Sequence, residues 1–189
     1  MADETRERIL AAALDLFSAR GFSAVTTKAI AEAAAVNEAT LFRNFTSKRK
    51  LYADVLGRYS IHADDPEIGA IVAGDIHVDL LVLAQAIADL FVRNGKVVSM
   101  SLKDLALFED LGRDLKRRPE LLTSQVASFF KRQREAGMIH GDCERIARTF
   151  VDAIFAVTVH YVNIGVIETD LDGFLRTFSR IFSAGLGKA

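Results

Sequence analysis

The sequence predicts an all-α protein, and three observations carry that prediction. Apolar residues recur with a period of 3.6 nearly everywhere along the chain. No stretch shows the strict apolar–polar alternation of a half-buried strand. Only two prolines, Pro66 and Pro119, interrupt 189 residues, so long segments run without an obligatory helix breaker. About nine helices follow from the periodicity.

Each helix has its own signals. The first is expected over Thr5–Arg20, with Ile9, Leu10, Ala13, Leu14 and Phe17 as its inner stripe. Gly21 supplies a left-handed stop, and Phe22 can fold back on the last turn. Thr26 or Thr27 caps a short second helix in which Ile30 and Ala33 face inward. Ala34, Ala35 and Val36 form a tight connection. Asn37 caps a very short third helix carrying Leu41, Phe42 and Phe45, and Ser47 caps a fourth that begins at Lys48 and continues through Leu51, Val55 and Tyr59. The stretch Ala63-Asp64-Asp65-Pro66, loosened further by Gly69 and Gly74, breaks the pattern. It divides a head (residues 3–63) from a helical body (70–189). Five body helices are expected at Asp75–Asn94, Val98–Leu115, Pro119–Ala136, Asp142–Asn163 and Leu171–Gly185. Arg117-Arg118-Pro119 reads as a corner with Pro119 in a first turn, and Gly137 as the stop after the seventh helix.

Composition narrows the class of protein. Half of the residues are hydrophobic and 26% are charged, as in an ordinary globular chain. The sole cysteine, Cys143, excludes an internal disulfide. No run of apolar residues reaches the length of a membrane span. Asp3, Glu4 and Glu7 stand where a secretory leader needs a basic start and an apolar run. These features point to the cytoplasm. The net charge of −1 argues against a general nucleic-acid coat, yet residues 1–60 hold nine Lys/Arg against seven Asp/Glu. Residues 40–60 hold Arg43, Lys48, Arg49, Lys50 and Arg58 against Asp54 alone. Such a patch suits local contact with phosphates, and a solvated helix face explains it equally well.

The second and third helices, joined by a tight turn, form a helix-turn-helix. A helix that enters the major groove needs an inner face locked to its scaffold and a polar outer face. Leu41, Phe42 and Phe45 anchor the third helix, which leaves Asn37, Glu38, Thr40, Arg43 and Asn44 outward. Arg and Asn are suited to bidentate base reading. Lys48 opens the next helix, where end amides, dipole and ammonium can act on one phosphate together.

These residues resemble the tetracycline-repressor family of bacterial regulators. The resemblance rests on Thr26 or Thr27, Ile30-Ala31, Val36, Thr40-Leu41, Phe45 and Lys48, with Ile9 to Phe17 and Gly21-Phe22 before them. It covers about residues 5–60. It implies a homodimer on a palindromic DNA operator, the two heads about 34–36 Å apart in successive major grooves. It also implies release by a small-molecule effector bound in the body. Thr26 and Ala39 are among the candidate DNA contacts, and of the others Lys28, Asn37, Glu38, Thr40, Arg43 and Asn44 fall on the base side or beside it. Thr27, Phe42 and Lys48 fall on the phosphate side. Two positions depart from the family pattern. Ala35 replaces a frequent turn glycine and tolerates the left-handed region poorly. Phe42 replaces a tyrosine and lacks its hydroxyl.

The body offers weaker signals. Phe91, Phe108, Phe129, Phe130, Phe155 and His160 could line a pocket for an apolar effector, or could simply pack a core. The wide apolar bands of the last two helices suggest a second copy against Phe150, Ile154, Val157, Tyr161, Phe174, Phe178 and Phe182. His140 with Cys143 has no second pair at metal-site spacing, and His62 with Asp64 and Asp65 reads as a solvated linker. No nucleophile, carboxylate pair or cofactor loop is evident, so neither an enzyme nor a bound cofactor or metal is expected. The alternative to an effector-released repressor is a regulator with a packed body, controlled by a protein partner or by no ligand.

Overall fold

The computed structural model describes residues 2–59, 74–104, 111–163 and 170–186; the side chains of 2, 111–119 and 161–163 fall outside that description. Every regular element among the described residues is helical. In chain order these are α1 (Ala2–Arg20), α2 (Thr27–Ala33), α3 (Glu38–Asn44), α4 (Lys48–Tyr59), α5 (Ile76–Arg93), α6 (Gly95–Asp104), α7 (Leu111–Glu135), α8 (Cys143–Val157) and α9 (Leu171–Leu186). A π-helical turn, Thr158–Asn163, extends α8. No helix among the described residues is long and apolar enough to cross a membrane. The chain forms two compact units: Met1–Ser60 with Asn94–Asp114, and Ile61–Arg93 with Leu115–Ala189.

The first unit is built around α1. Ile9, Leu10, Ala13 and Phe17 of α1 are buried with Ile30, Leu41, Phe45, Leu51 and Val55, which draws α2, α3 and α4 onto one core. Gly21 ends α1 at φ 76°, where its N–H donates to Phe17 O at 2.8 Å. Phe22 then stacks on Phe17, and Tyr52 meets both rings edge-on. The Arg6 guanidinium donates to Asp54 at 2.8 Å and lies 4.6 Å from the Phe45 ring centre, joining α1 to α4 and to the end of α3.

The caps of α2, α3 and α4 follow from local chemistry. Thr26 Oγ1 accepts from Ala29 N at 3.1 Å, Asn37 Oδ1 from Thr40 N at 2.7 Å, and Ser47 Oγ from Lys50 N at 3.1 Å. Each side chain satisfies an amide that the first turn of a helix leaves open. Between α2 and α3, Val36 N donates to Ala31 O at 2.9 Å and Ala35 N to Glu32 O at 3.0 Å. This is the paired bonding of a left-handed helix end. It holds Ala35 at φ 52°, the one non-glycine positive φ among the described residues.

A helix from much later in the chain completes this unit. α6 lies on α1 and carries Asp104, which is 5% exposed. The Asp104 carboxylate accepts the Phe22 N–H through both oxygens, at 3.1 and 3.0 Å. Burial raises the pKa of the Tyr52 hydroxyl, and the charge and hydrogen bond of Asp104 raise it further. That hydroxyl also reaches Met100 O at 3.3 Å. Lys103 donates to the end carbonyls of α1, Ser18 O and Ala19 O, and Lys96 pairs with Asp15 at 2.6 Å.

In the second unit, Leu80, Leu83, Ala84 and Ile87 of α5 are buried, as are Val126, Phe129 and Phe130 of α7 and Phe150 and Ile154 of α8. The rings of Phe174, Phe178 and Phe182 run along α9, and the last two pack on Phe150. Gly137 closes α7 at φ 72°, and Asp142 caps α8 through Glu144 N and Arg145 N.

Two expected boundaries are corrected. α7 begins at Leu111 and runs through Pro119, so no corner forms at Arg117-Arg118-Pro119. A proline forfeits one backbone donor, and a 25-residue helix with a continuous apolar face absorbs that loss. The eighth helix is not uniform, since its α-helical hydrogen bonding gives way to the π turn at Thr158. The expected linker at Ala63–Pro66, and His62 beside it, lie outside the described residues.

Replacing Ala35 with glycine relieves the left-handed strain and is expected to stabilise the fold by about 1 kcal/mol, read as a higher urea midpoint at constant m. A lower midpoint would show that the turn carries no such strain. Asp104→Ala is expected to cost roughly 2–3 kcal/mol, with Asp104→Asn in between, because a buried charged acceptor is removed. A loss below about 0.5 kcal/mol, the level of an ordinary surface change, contradicts that role.

Candidate nucleic-acid interface

α3 has a locked side and an open side. Leu41 and Phe45 are buried beneath it. Three of its polar side chains are used inside the protein. Asn37 caps the helix. Glu38 accepts from the Thr27 hydroxyl at 2.5 Å, which ties the start of α3 to the start of α2. Asn44 donates its amide to Thr40 O, one turn back, at 2.8 Å. Glu38 therefore braces α3 against α2, where the sequence suggested a base-side contact. The Asn44 amide is likewise engaged by the backbone.

The open side carries Ala39, Phe42 and Arg43, all exposed, with Thr40 half-buried beside them. Arg43 makes no ion pair among the described residues, and neither does Lys28, exposed on α2. Thr26 is exposed, but its side-chain oxygen is occupied by the cap. Phe42 is 47% exposed, so it does not join Leu41 and Phe45 as an anchor. Ala39 is the helical neighbour of both Phe42 and Arg43, because residues three and four apart on a helix adjoin.

Lys48 occupies the first turn of α4, over the Phe22 ring at 4.2 Å from its centre. Partial burial lowers its pKa, and the charge of Asp104 acts in the opposite direction. The Phe22 ring thus holds the ammonium at the first turn of a helix, within reach of the charge of Asp104. A cation there is disfavoured by the helix dipole and favoured again when an anion arrives. Sequence reading missed this pairing because Asp104 lies 56 residues beyond Lys48, in what reads as an unrelated helix.

The body candidates separate clearly. Phe129 and Phe130 are fully buried, as are Phe150 and Ile154, while Val157 is 4% exposed. Phe150, Ile154 and Val157 are therefore core residues of their own unit, with no surface left for a second copy. Phe174, Phe178 and Phe182 are half-buried. Phe91 meets Phe155 edge to face at 5.1 Å, and Phe155 keeps partial exposure. His160 is exposed, with Nδ1 3.2 Å from Ala156 O, so it does not point into an interior. Phe108 and the Tyr161 side chain lie outside the described residues.

Comparison with known proteins agrees with this geometry. Residues 9–55 match the profile of bacterial regulatory proteins of the tetR family. The HTH-type transcriptional regulator YvkB of Bacillus subtilis (strain 168) is 30% identical over 185 residues, covering 96% of this chain and 97% of YvkB. A TetR-family regulator from Mesorhizobium loti MAFF303099 superposes with a TM-score of 0.79 at 18% identity, covering 100% of this chain and 99% of its own. NalD, the secondary repressor of the MexAB-OprM multidrug efflux pump in Pseudomonas aeruginosa, gives 0.74 at 15% identity, covering 100% and 99%. A helix-turn-helix locked from beneath and open above, within a fold and a sequence shared along the whole chain, makes this protein a DNA-binding transcriptional regulator of the TetR family.

Proposed function

We propose that this regulator is a cytoplasmic repressor that binds a palindromic operator as a homodimer and is released by a small molecule. The observation that carries the reading is the division of labour on α3. Its inner and capping side chains hold the fold, and Arg43 stands exposed with no ion pair among the described residues. In this reading α3 lies in the major groove, Arg43 and Thr40 face base edges, Lys28 faces a base edge or the backbone beside it, and Lys48 faces a phosphate. NalD, a repressor by name, is similar in fold and supports the repressor sense. The half-buried phenylalanines of α9 are the surface offered to a second copy.

Release needs a route from body to head. α6 is covalently continuous with α5 of the second unit through Asn94 alone, and it is bonded into the first unit through Asp104, Lys103 and Lys96. A shift of α5 therefore acts on α6 and, through Asp104, on the Phe22 and Tyr52 contacts beneath α4. DNA and effector binding are then coupled reciprocally. Phe155 beside Phe91 is the aromatic pair from which an apolar effector would gain contact. Complete burial of Phe129, Phe130 and Phe150 favours a second reading, a packed body that answers to a protein partner or to none. Gel shifts on the upstream region of its own gene, with and without apolar compounds, separate the two readings. Binding that no compound alters supports the second.

Arg43→Ala is expected to weaken operator binding by about 1–3 kcal/mol and to relax sequence preference at one position of each half-site. Equal losses on operator and random DNA would remove Arg43 from base reading. Lys48→Ala is expected to weaken binding to all sequences and to reduce the slope of log K against log salt by about 0.9 for each phosphate no longer neutralised. An unchanged slope excludes the phosphate role.

A further inference from the structure

We propose that α3 recognises thymine in its operator through the C5-methyl group, with Phe42 and Ala39 forming the apolar surface that receives it. This rests on the DNA-reading role given to α3 above. Most polar groups that a recognition helix would aim at bases are already engaged. The Asn37 oxygen caps the helix, Glu38 is held by Thr27, and the Asn44 amide is bonded to Thr40 O. Asn37 and Glu38 are exposed but already bonded, so the exposed side chains without such a bond are Ala39 and Phe42 on one side and Arg43 on the other.

Phe42 stands apart among the described aromatic residues of the first unit. Phe17, Phe45 and Tyr52 are at most 1% exposed and Phe22 is half-buried, whereas Phe42 is 47% exposed. A single exposed apolar side chain is ordinary on a protein surface. This one lies one helical turn from Ala39 and directly beside Arg43, on the face already assigned to the groove. Its ring has no donor or acceptor for a phosphate or a base edge. In the major groove only thymine presents a methyl group, and apolar side chains are its usual partners. Arg43 suits guanine, so the pattern expected in each half-site is a guanine with a thymine one or two steps away.

The test starts from an operator enriched from random duplex DNA by the full-length protein. Each thymine is then replaced by deoxyuridine, which removes the methyl and keeps the base pair. Affinity is measured by fluorescence anisotropy for the wild type and Phe42→Ala, at salt low enough to keep the variant within range. At one thymine of each half-site the wild type is expected to lose about fourfold in affinity, the worth of one buried methyl. Phe42→Ala is expected to show no difference between the two bases there. The proposal is overturned if no thymine responds, or if the response is the same in Phe42→Ala, because the methyl would then act through DNA shape alone. If no sequence is enriched at all, the DNA-reading role of α3 itself fails; an enriched operator indifferent to methyl removal rejects only the thymine contact.

Discussion

A buried carboxylate holds the DNA-binding unit together. Asp104 brings a negative charge into the core of a unit otherwise closed by apolar packing, a placement that is unfavourable unless hydrogen bonds and nearby positive charge compensate it. Here the Phe22 N–H donates to both oxygens, the Tyr52 hydroxyl bonds to the group, and the Lys48 ammonium lies near enough to feel its charge. Those three partners belong to the loop after α1 and to α4. One side chain from α6 therefore ties the loop after α1 to α4, adding to the apolar core and the Arg6–Asp54 pair that join α1 and α4. The unit is not the first 60 residues alone: α6, entering from beyond the gap in the pattern, is part of it.

On that frame the recognition helix is held by many small restraints. Caps satisfy its first amides, Leu41 and Phe45 bury its underside, and the Thr27–Glu38 bond sets its start against α2. Ala35 completes the turn in a backbone region that costs an alanine about 1–2 kcal/mol, and the two bonds of the helix end keep it there. Restraint of this kind matters for reading DNA, because a base contact is specific only when the side chain that makes it arrives at a fixed register.

Local chemistry was legible in the sequence and distant pairing was not. Thr26, Asn37 and Ser47 were readable as caps, and Gly21 and Gly137 as left-handed stops, because each acts within a few residues of itself. The apolar period placed Ile9, Leu10, Ala13 and Phe17 inside for the same reason. Asp104 could not be found this way, since its role depends on Phe22, Lys48 and Tyr52, all more than 50 positions away. The helix through Pro119 escaped because a proline signals a break only when packing does not override it. Glu38 and Asn44 look outward on a helical wheel, yet each finds a partner on its own motif. Phe150, Ile154 and Val157 read as spare apolar surface until the rings of α9 and the rest of the second core are seen to cover them.

The Thr27–Glu38 bond has a consequence for how such a regulator diverges. Because bracing falls to Glu38, Asn37 and Asn44, the exposed side chains Ala39, Phe42 and Arg43 are not needed for the caps or the brace. If α3 reads DNA as proposed, substitution at those three positions changes the preferred target at little cost to the caps and the brace. A duplicated gene can then acquire a new operator by a few exchanges on one short surface, with no compensating repair in the interior.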